Sequence, residues 1–534
     1  MDLRPYQVEF VDACLHSWEE HKNILGVAAT GAGKTILASE IMRRTEGRSL
    51  FIADAVELIN QNADKYRKHT GDFPSIEMGP HRASLNSKVV ISSAQSLWRR
   101  LDRFPRNHFE RVIIDEAHRC TLGAMSQTIL QHFESAEFLG MTATPFRSDR
   151  KSLGEVYSHI AIEVGLERLI REGYLTRIHI KSVPLTLDLR DVRTTAGDYN
   201  AADLGTALEP HLLAAAEMIA DHAVGAGRKK TVVFLPLVAT ANAFASELRR
   251  LGVRAVAASG NDKSELAEFT DGDAKVICNA ALLTTGWDCP PVDCICILRP
   301  TKSLALYQQM IGRGTRLFPG KDNLLVLDPL YLADDHNLIT PARLLARTQE
   351  QADAIDKELS TGRAPSGSGG GNKEMDLLDV DSGVQAQREE ALAKKLADKQ
   401  TRDPRLVDAV EFSLSLHQAE GAEYTPEFAW EGRPVSPNQK AMLENAGFDM
   451  SGISCMGHAA KIIDVLISRR NAGLATPKQM KFLKKFRHPS PDTCSFTDAK
   501  SYLDAAFAGN LPHQRRGAPV APRVAAIPVQ GSLF

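Results

Sequence analysis

Several things are missing from this chain, and each absence narrows its role. No window of its 534 residues approaches the run of about 18 apolar residues that a membrane-spanning helix needs. The first ten residues, MDLRPYQVEF, lack the basic-then-apolar order of a secretory leader, so a cytoplasmic protein with no membrane partner is expected. Cysteine is sparse: eight are scattered along the chain and none shows C-x-x-C spacing, so no structural zinc is expected. Reduced core thiols are the simplest reading, and Cys294 and Cys296 in CICIL suit a buried strand. A surplus of one charge is also missing. Lysine plus arginine number 64 against 66 aspartate plus glutamate, a net charge of -2, which leaves nucleic acid open as a partner because local patches can hold it.

The length implies three or four folded units. Up to about residue 330, short runs rich in Val and Ile alternate with helical patterns: NILGVAA, SLFIAD, KVVISS, RVIIDE and EFLGMTA, then TVVFLPL, AVAAS, KVICN, CICIL and LLVLD. Runs of this kind suit parallel strands buried on both faces, so the fold class is α/β with open parallel sheets. The series restarts near Thr231, which gives two lobes, 1–148 and 215–335, with a connector over 149–214. Residues 336–400 read as a flexible linker containing SGSGGG at 366–371, followed by an exposed helix, QREEALAKKLADKQ; residues 401–435 carry no clear pattern.

The C-terminal part repeats itself. SPNQKAMLENAGF at 436 and TPKQMKFLKKFRH at 476 align at an offset of 40, which also pairs Ala459 with Ala499, Ile463 with Leu503 and Asp464 with Asp504. Two copies of one small helical unit are expected over 436–509, packed on each other because neither buries its apolar face alone. Between 436 and 516 there are twelve Lys/Arg and six Asp/Glu, a net of +6 (12 minus 6), and Lys481, Lys484 and Lys485 concentrate the charge. A nucleic-acid-binding role for this module is one reading and a solvated helix face the other. Residues 510–534 are rich in Pro and Ala and read as a disordered tail.

Three motifs carry chemistry. ATGAGKT at 29–35 follows an apolar run and precedes a helical one, the context of a phosphate-binding loop. Thr30, Gly31 and Gly33 would let backbone N–H groups close around phosphate oxygens, Lys34 would reach the β- and γ-phosphates, and Thr35 would ligate Mg²⁺. RVIIDEAHR at 111–119 ends a strand with paired acids. Asp115 suits a Mg²⁺ ligand and Glu116 a base for the attacking water. QQMIGRGTR at 308–316 supplies Arg313 and Arg316, three apart and so on one face if helical, to meet charge building on a transferred phosphoryl group.

Together these residues resemble the helicase superfamily II series, in order, over about residues 3–330. RPYQ at 4–7 resembles the adenine-reading element, with Gln7 on the base and Arg4 or Tyr6 nearby. ATGAGKT is similar to motif I and DEAH to motif II. TATP at 142–145, with Thr142 and Thr144, resembles the coupling motif III. LTTGWDCP at 283–290 resembles motif V, with Gly286 and Asp288 at the nucleotide and strand interface. QQMIGRGTR resembles motif VI through Gln309, Arg313 and Arg316. SAQSL at 93–97 is similar to a strand-binding motif. The run VDCICILRPTKSLALYQQMIGRGTRLFPGK is similar to RadD-like and phage-encoded helicases, although the cysteine-rich zinc sequence of that branch is missing, so the last third of the chain falls outside the resemblance. The resemblance implies two tandem RecA-like lobes and ATP with Mg²⁺ between them. It also implies a DNA partner (single-stranded, duplex or forked), with Ser93, Gln95 and Thr285 as strand contacts.

The expected function is an ATP-dependent DNA helicase or translocase of replication, recombination or repair, in a bacterial or phage-infected cell. Alternatives are the motor subunit of a restriction or defence complex, a clamp-recruited ATPase switch that unwinds nothing, and an RNA helicase. The chain closes on QGSLF, where Gln530, Leu533 and Phe534 resemble the peptide by which partners dock on a bacterial sliding clamp.

Overall fold

The computed structural model describes residues 3–53, 56–117, 124–143, 153, 156–195, 197–258, 264–280, 287, 289–332, 338–346, 349–361, 374–397, 412, 416, 426 and 431–507. Two compact units divide the chain, Met1–Gln387 and Arg388–Phe534.

The first unit holds two seven-stranded sheets. The first comprises β1 (Asn23–Ala28), β2 (Ser49–Ala53), β3 (Ser75–Glu77), β4 (Val89–Ser93), β5 (Arg111–Ile114), β6 (Glu137–Thr142) and β7 (His159–Val164). Its order is β3-β4-β2-β5-β6-β1-β7, parallel throughout. β2 and β4 are buried at every position, which is why each is built around an unbroken apolar stretch, Leu50–Ala53 and Val89–Ile91.

The second sheet comprises β8 (Arg177–Asp188), β11 (Thr231–Phe234), β12 (Ala255–Ala258), β13 (Val276–Asn279), β14 (Cys294–Ile297), β15 (Asn323–Leu332) and β16 (Met375–Asp376), while β9 (Thr194–Thr195) and β10 (Asp198–Tyr199) pair separately. Its order is β12-β13-β11-β14-β15-β8-β16, with only β16 antiparallel. Each of the ten apolar runs named above contains one strand. Cys294 and Cys296 lie in β14 with no exposed surface, and burial pushes the Cys294 thiol up to about 12, so it is an inert core group.

The connector expected over 149–214 is too broad, because two strands of the sheets lie within it. β7 extends the first sheet beside β1, and β8 enters the second beside β15. Apolar-run reading passes over β8 because the strand alternates: Ile178, Ile180, Val183, Leu185 and Leu187 are buried while Arg177, Thr186 and Asp188 face out.

The flexible linker expected over 336–400 also needs correction. The helix Gln349–Thr361 buries Ala352, Ile355 and Leu359 in the main core, and β16 leads directly into the helix Leu377–Ala397. Asp376 explains the attachment: Arg177 and His179 both bind it, and although burial opposes ionisation, these partners hold its carboxyl at about 2. SGSGGG lies outside the described residues.

In the second unit the offset of 40 is a structural repeat. Ser436 and Thr476 each cap a helix, Pro437–Ala446 and Pro477–Lys485, through a capping box closed by Gln439 and Gln479. Gln439 Nε2 donates to Met456 O at 3.2 Å and Gln479 Nε2 to Phe496 O at 3.4 Å, tying each first helix to the start of its second, Met456–Asn471 and Phe496–Phe507. Leu443, Leu483, Ala459 and Ala499 share one apolar core. Among the described residues no helix is long and apolar enough to cross a membrane.

Candidate active site

The carboxyl ends of β1, β5 and β6 build one side of the site. β6 lies between the other two in the sheet, so the phosphate loop after β1 and the acids after β5 are two strand spacings apart, roughly 10 Å, with the buried Thr142 between them. Downstream of α1 (Pro5–Ser17), the loop passes from β1 into α2 (Lys34–Arg44), with Gly31 at φ +93° and Gly33 at φ +84°, backbone that a side chain would strain. Lys34 opens α2, where the helix dipole favours anions, and Thr35 follows it. The hydroxyl oxygen of Thr30 is buried without a hydrogen-bond partner, as suits a group waiting for a polar ligand in this loop. The helix Pro5–Ser17 braces the loop from below: Tyr6 Oη and Gln7 Nε2 donate to Ala32 O at 2.8 and 3.2 Å.

Asp115 is buried and accepts a hydrogen bond from the backbone N–H of Glu116 at 3.0 Å. Glu116 itself has φ +48°, a left-handed backbone that costs a non-glycine residue about 1–2 kcal/mol. That strain aims its side chain at Lys34, whose Nζ lies 3.3 Å from Glu116 Oε1 with both groups largely buried.

The second lobe closes over this loop. The helix Leu304–Ile311 ends at Gly312, so Arg313 and Arg316 sit in the tight turn beyond it rather than on a shared helix face as expected. The turn is built of short-range bonds, Arg313 N to Met310 O at 3.3 Å and Gly314 N to Ile311 O at 3.0 Å. Its glycines are there for close approach: a Cβ on Gly312 would stand 2.2 Å from Thr30 Cγ2 of the phosphate loop. From the other direction, a Cβ on Gly31 would stand 2.9 Å from Leu175 Cδ2 and 3.3 Å from Thr315 Oγ1. Burial lowers Arg313 to about 10 while the Glu116 carboxylate works against that, so the guanidinium stays charged at neutral pH beside the acid of the opposite lobe. Arg313 also donates to Trp287 O, and burial lowers Arg316 as well.

Lys34, Thr30, Gly31, Gly33, Asp115, Glu116 and Arg313 are therefore brought to one cleft. Gln309 is buried on the helix that carries the turn. Gln7 stands beside the loop with its amide engaged by the chain itself, its Oε1 accepting from Arg4 N at 3.0 Å. Ser93 caps the helix Ala94–Trp98 by accepting from Ser96 N at 3.1 Å, and Gln95 is exposed on that helix. Thr144, Thr285, Gly286, Asp288, Gln530, Leu533 and Phe534 lie outside the described residues.

Several site residues carry no motif signal. Tyr174 packs on Tyr6 with ring centroids 4.7 Å apart, and Arg4 lies 5.4 Å over the Tyr174 ring, forming an aromatic wall beside the loop. Thr176 ties the arginine turn to the chain between the lobes, its N–H donating to Thr315 O at 2.7 Å and its hydroxyl to Arg316 O at 3.0 Å. Lys321 fastens the same turn by donating to the carbonyls of Gly314, Arg316 and Pro290, and burial lowers it to about 8. Tyr174 and Thr176 stand in no local pattern, so no sequence signal marks them, while Lys321 ends the run VDCICILRPTKSLALYQQMIGRGTRLFPGK, whose sequence does not announce these contacts.

Residues 1–147 match the family described as Type III restriction enzyme, res subunit, and residues 215–317 match the Helicase conserved C-terminal domain. A Saccharomyces cerevisiae protein named ATP-dependent helicase IRC3 is 30% identical over 354 residues, covering 61% of this chain and 51% of that protein. Its Schizosaccharomyces pombe namesake is 31% identical over 350 residues, covering 61% and 57%. The chain thus spans about half the length of these relatives. The solved structure of the ATP-dependent Type ISP restriction-modification enzyme LlaBIII bound to DNA is similar in fold, with a TM-score of 0.51 at 15% identity over 98% of this chain and 44% of that one.

Proposed function

We propose, from the premise that residues 1–335 carry a superfamily II helicase core, that the protein is an ATP-driven motor on DNA serving replication, recombination or repair. The observation that carries this reading is the cross-lobe cleft. Lys34 and Glu116 face each other at 3.3 Å on one lobe while Arg313 of the other lobe lies in the field of Glu116. A triphosphate bound there has its β- and γ-phosphates met by Lys34 and the loop N–H groups, an attacking water oriented and deprotonated by Glu116, and γ-phosphate charge met by Arg313 and Arg316. Thr35 and Asp115 would hold Mg²⁺, which would neutralise phosphate charge. Tyr174, Tyr6 and Arg4 would line the base. Because the cation pair and the acids belong to different lobes, ATP favours the closed arrangement and hydrolysis weakens it. A strand held across both lobes is then gripped alternately, driven by the difference in nucleotide affinity between the two states. Strand contacts are mostly to phosphates, with Ser93, Gln95 and Thr285 as candidates.

ATPase rates measured with single-stranded, duplex and forked DNA and with RNA test this, with Lys34→Ala and Glu116→Gln as controls. DNA stimulation that both substitutions abolish is the expected result. Stimulation by RNA alone, or none by any strand, rejects it. Strand displacement on a fork then separates a motor from an ATPase switch.

A second reading, the motor subunit of a restriction complex, is favoured by the family description that matches residues 1–147. It requires a partner chain carrying the nuclease, and co-purification of a DNA-cleaving assembly would establish it. The terminal QGSLF suggests recruitment by a sliding clamp; deleting 530–534 should abolish clamp pull-down and spare ATPase activity, and unchanged pull-down rejects the idea.

A further inference from the structure

The C-terminal unit contains its own control. Its two copies keep the same buried framework: Leu443 and Leu483 have no exposed surface, Ala459 and Ala499 likewise, and the chain leaves each first helix by the same bond, Phe448 N to Leu443 O at 3.0 Å and His488 N to Leu483 O at 2.9 Å. On the outside the copies diverge in one direction. Where the first has Asn438, Ala441, Glu444, Asn445 and Gly447, the second has Lys478, Lys481, Lys484, Lys485 and Arg487. The first copy forms the same helix without a cation at any of these five positions. Residues 437–447 carry one Lys and one Glu, a sum of zero, and residues 477–487 carry four Lys and one Arg with no acid, a sum of +5. At 100° per residue the four lysines fall within an arc of about 120°, on the side of the helix away from the buried Met480 and Leu483.

Two further observations point the same way. Arg487 has φ +56° at the position where the first copy has Gly447 at φ +91°. Glycine takes that backbone freely and arginine does not, so the second copy holds a cation where its twin has the residue the turn prefers. The divergence is also aromatic: Met442, Ala446 and Ile467 correspond to Phe482, Phe486 and Phe507. Phe507 packs on Phe482 and Phe486 with centroids 5.5 and 5.1 Å apart and is still 62% exposed.

We infer that the second copy is a binding site for single-stranded nucleic acid, its lysine face and Arg487 tracking the phosphates and the Phe507 ring offering a stacking platform for a base, with the first copy as its scaffold. Cations along a backbone combined with an exposed aromatic are the chemistry of sequence-tolerant strand binding. An acidic protein partner is the poorer fit, because protein interfaces are depleted in lysine and this face has four. The inference rests on the reading that the chain acts on nucleic acid.

The test uses the full-length protein and a fluorescent mixed-sequence DNA oligonucleotide titrated at several salt concentrations. One variant carries the first copy's residues, Lys478→Asn, Lys481→Ala, Lys484→Glu, Lys485→Asn and Arg487→Gly, which the twin already shows to be compatible with the fold. Affinity should fall at least about tenfold, and the slope of log K against log salt should shrink by up to about 3.5, since each of the five cations contributes about 0.7 per phosphate contact on a single strand. Lys478→Gln with Lys485→Gln, at two exposed helix positions, should shrink the slope by about 1. Phe507→Ala should weaken binding and leave the slope unchanged, because stacking releases no counterions. Arg487→Gly alone should weaken binding while raising the melting temperature, the opposite of what an arginine kept for stability would do. Unchanged affinity and slope in both lysine variants would overturn the inference, as would a loss confined to binding of a polyglutamate peptide. DNA-stimulated ATPase activity, measured on the same samples, keeps the two readings apart: its absence in the parent protein counts against the motor, and its persistence beside unaltered strand affinity counts against this site alone.

Discussion

Lys34 Nζ lies 3.3 Å from Glu116 Oε1, one residue at the start of α2 and the other at the end of β5, in a sheet where β6 separates the strands that bear them. On the proposed function, the pair links the group that would meet phosphate to the group that would meet water. Each neutralises the other's charge inside a poorly solvated cleft, so neither can be removed without consequence for its partner.

Glu116→Gln keeps the shape and removes the base. ATP turnover should fall by about 10²–10⁴ with nucleotide affinity largely retained. Lys34→Ala should instead abolish nucleotide binding and lower the melting temperature, because the largely buried Glu116 carboxylate loses its ion pair with Lys34. Steady-state ATPase rates, fluorescent-nucleotide titration and thermal melts separate the two outcomes.

Gly312→Ala tests the contact between lobes. The added methyl would sit 2.2 Å from Thr30 Cγ2 and 2.6 Å from Thr30 Cβ, and turning the Thr30 side chain cannot move its Cβ, so the lobes must part. Turnover should drop towards the level of Arg313→Ala, about 10³–10⁵ below the parent, because the guanidinium no longer reaches the phosphates. Both variants should still bind nucleotide through the first lobe. Parental turnover in Gly312→Ala would show that Arg313 is presented some other way.

Lys321→Ala releases three carbonyls of the turn that carries the arginines. A displacement of about 1 Å at such a turn costs about 10²-fold in rate, so kcat should fall by that order while the KM for ATP stays near the parental value.

Asp328 gives stability a pH dependence. Burial, reinforced by the nearby Asp356, raises its carboxyl to about 7 from an ordinary 3.8, with the buried Tyr307 close by. The folded state therefore holds a proton that the unfolded state gives up. The contribution is fully present below about pH 4 and is lost as pH rises through 7. Asp328→Asn should melt higher than the parent above pH 7, and the difference should close as the pH falls towards 4. A constant difference across that range would reject the assignment.

Much of this could be read directly along the chain. Continuous Val- and Ile-rich runs marked ten strands, because a strand buried on both faces is apolar at most positions and that pattern is local. That Lys34 opens a helix after a glycine loop, and that Asp115 and Glu116 end a strand, was legible for the same reason, since adjacent residues fix both placements. The duplicated module showed itself through two capping boxes 40 residues apart. What the tertiary structure alone decided is non-local. β7 and β8 join different sheets from the stretch expected to connect them, as edge position and one-sided burial leave no apolar run. The arginines lie on a turn because Gly312 ends their helix where Thr30 demands room, and Tyr174, Thr176 and Lys321 matter only through partners brought near by folding. A sequence records which side chains a segment can bury; which segments meet across a cleft depends on contacts that no single segment encodes.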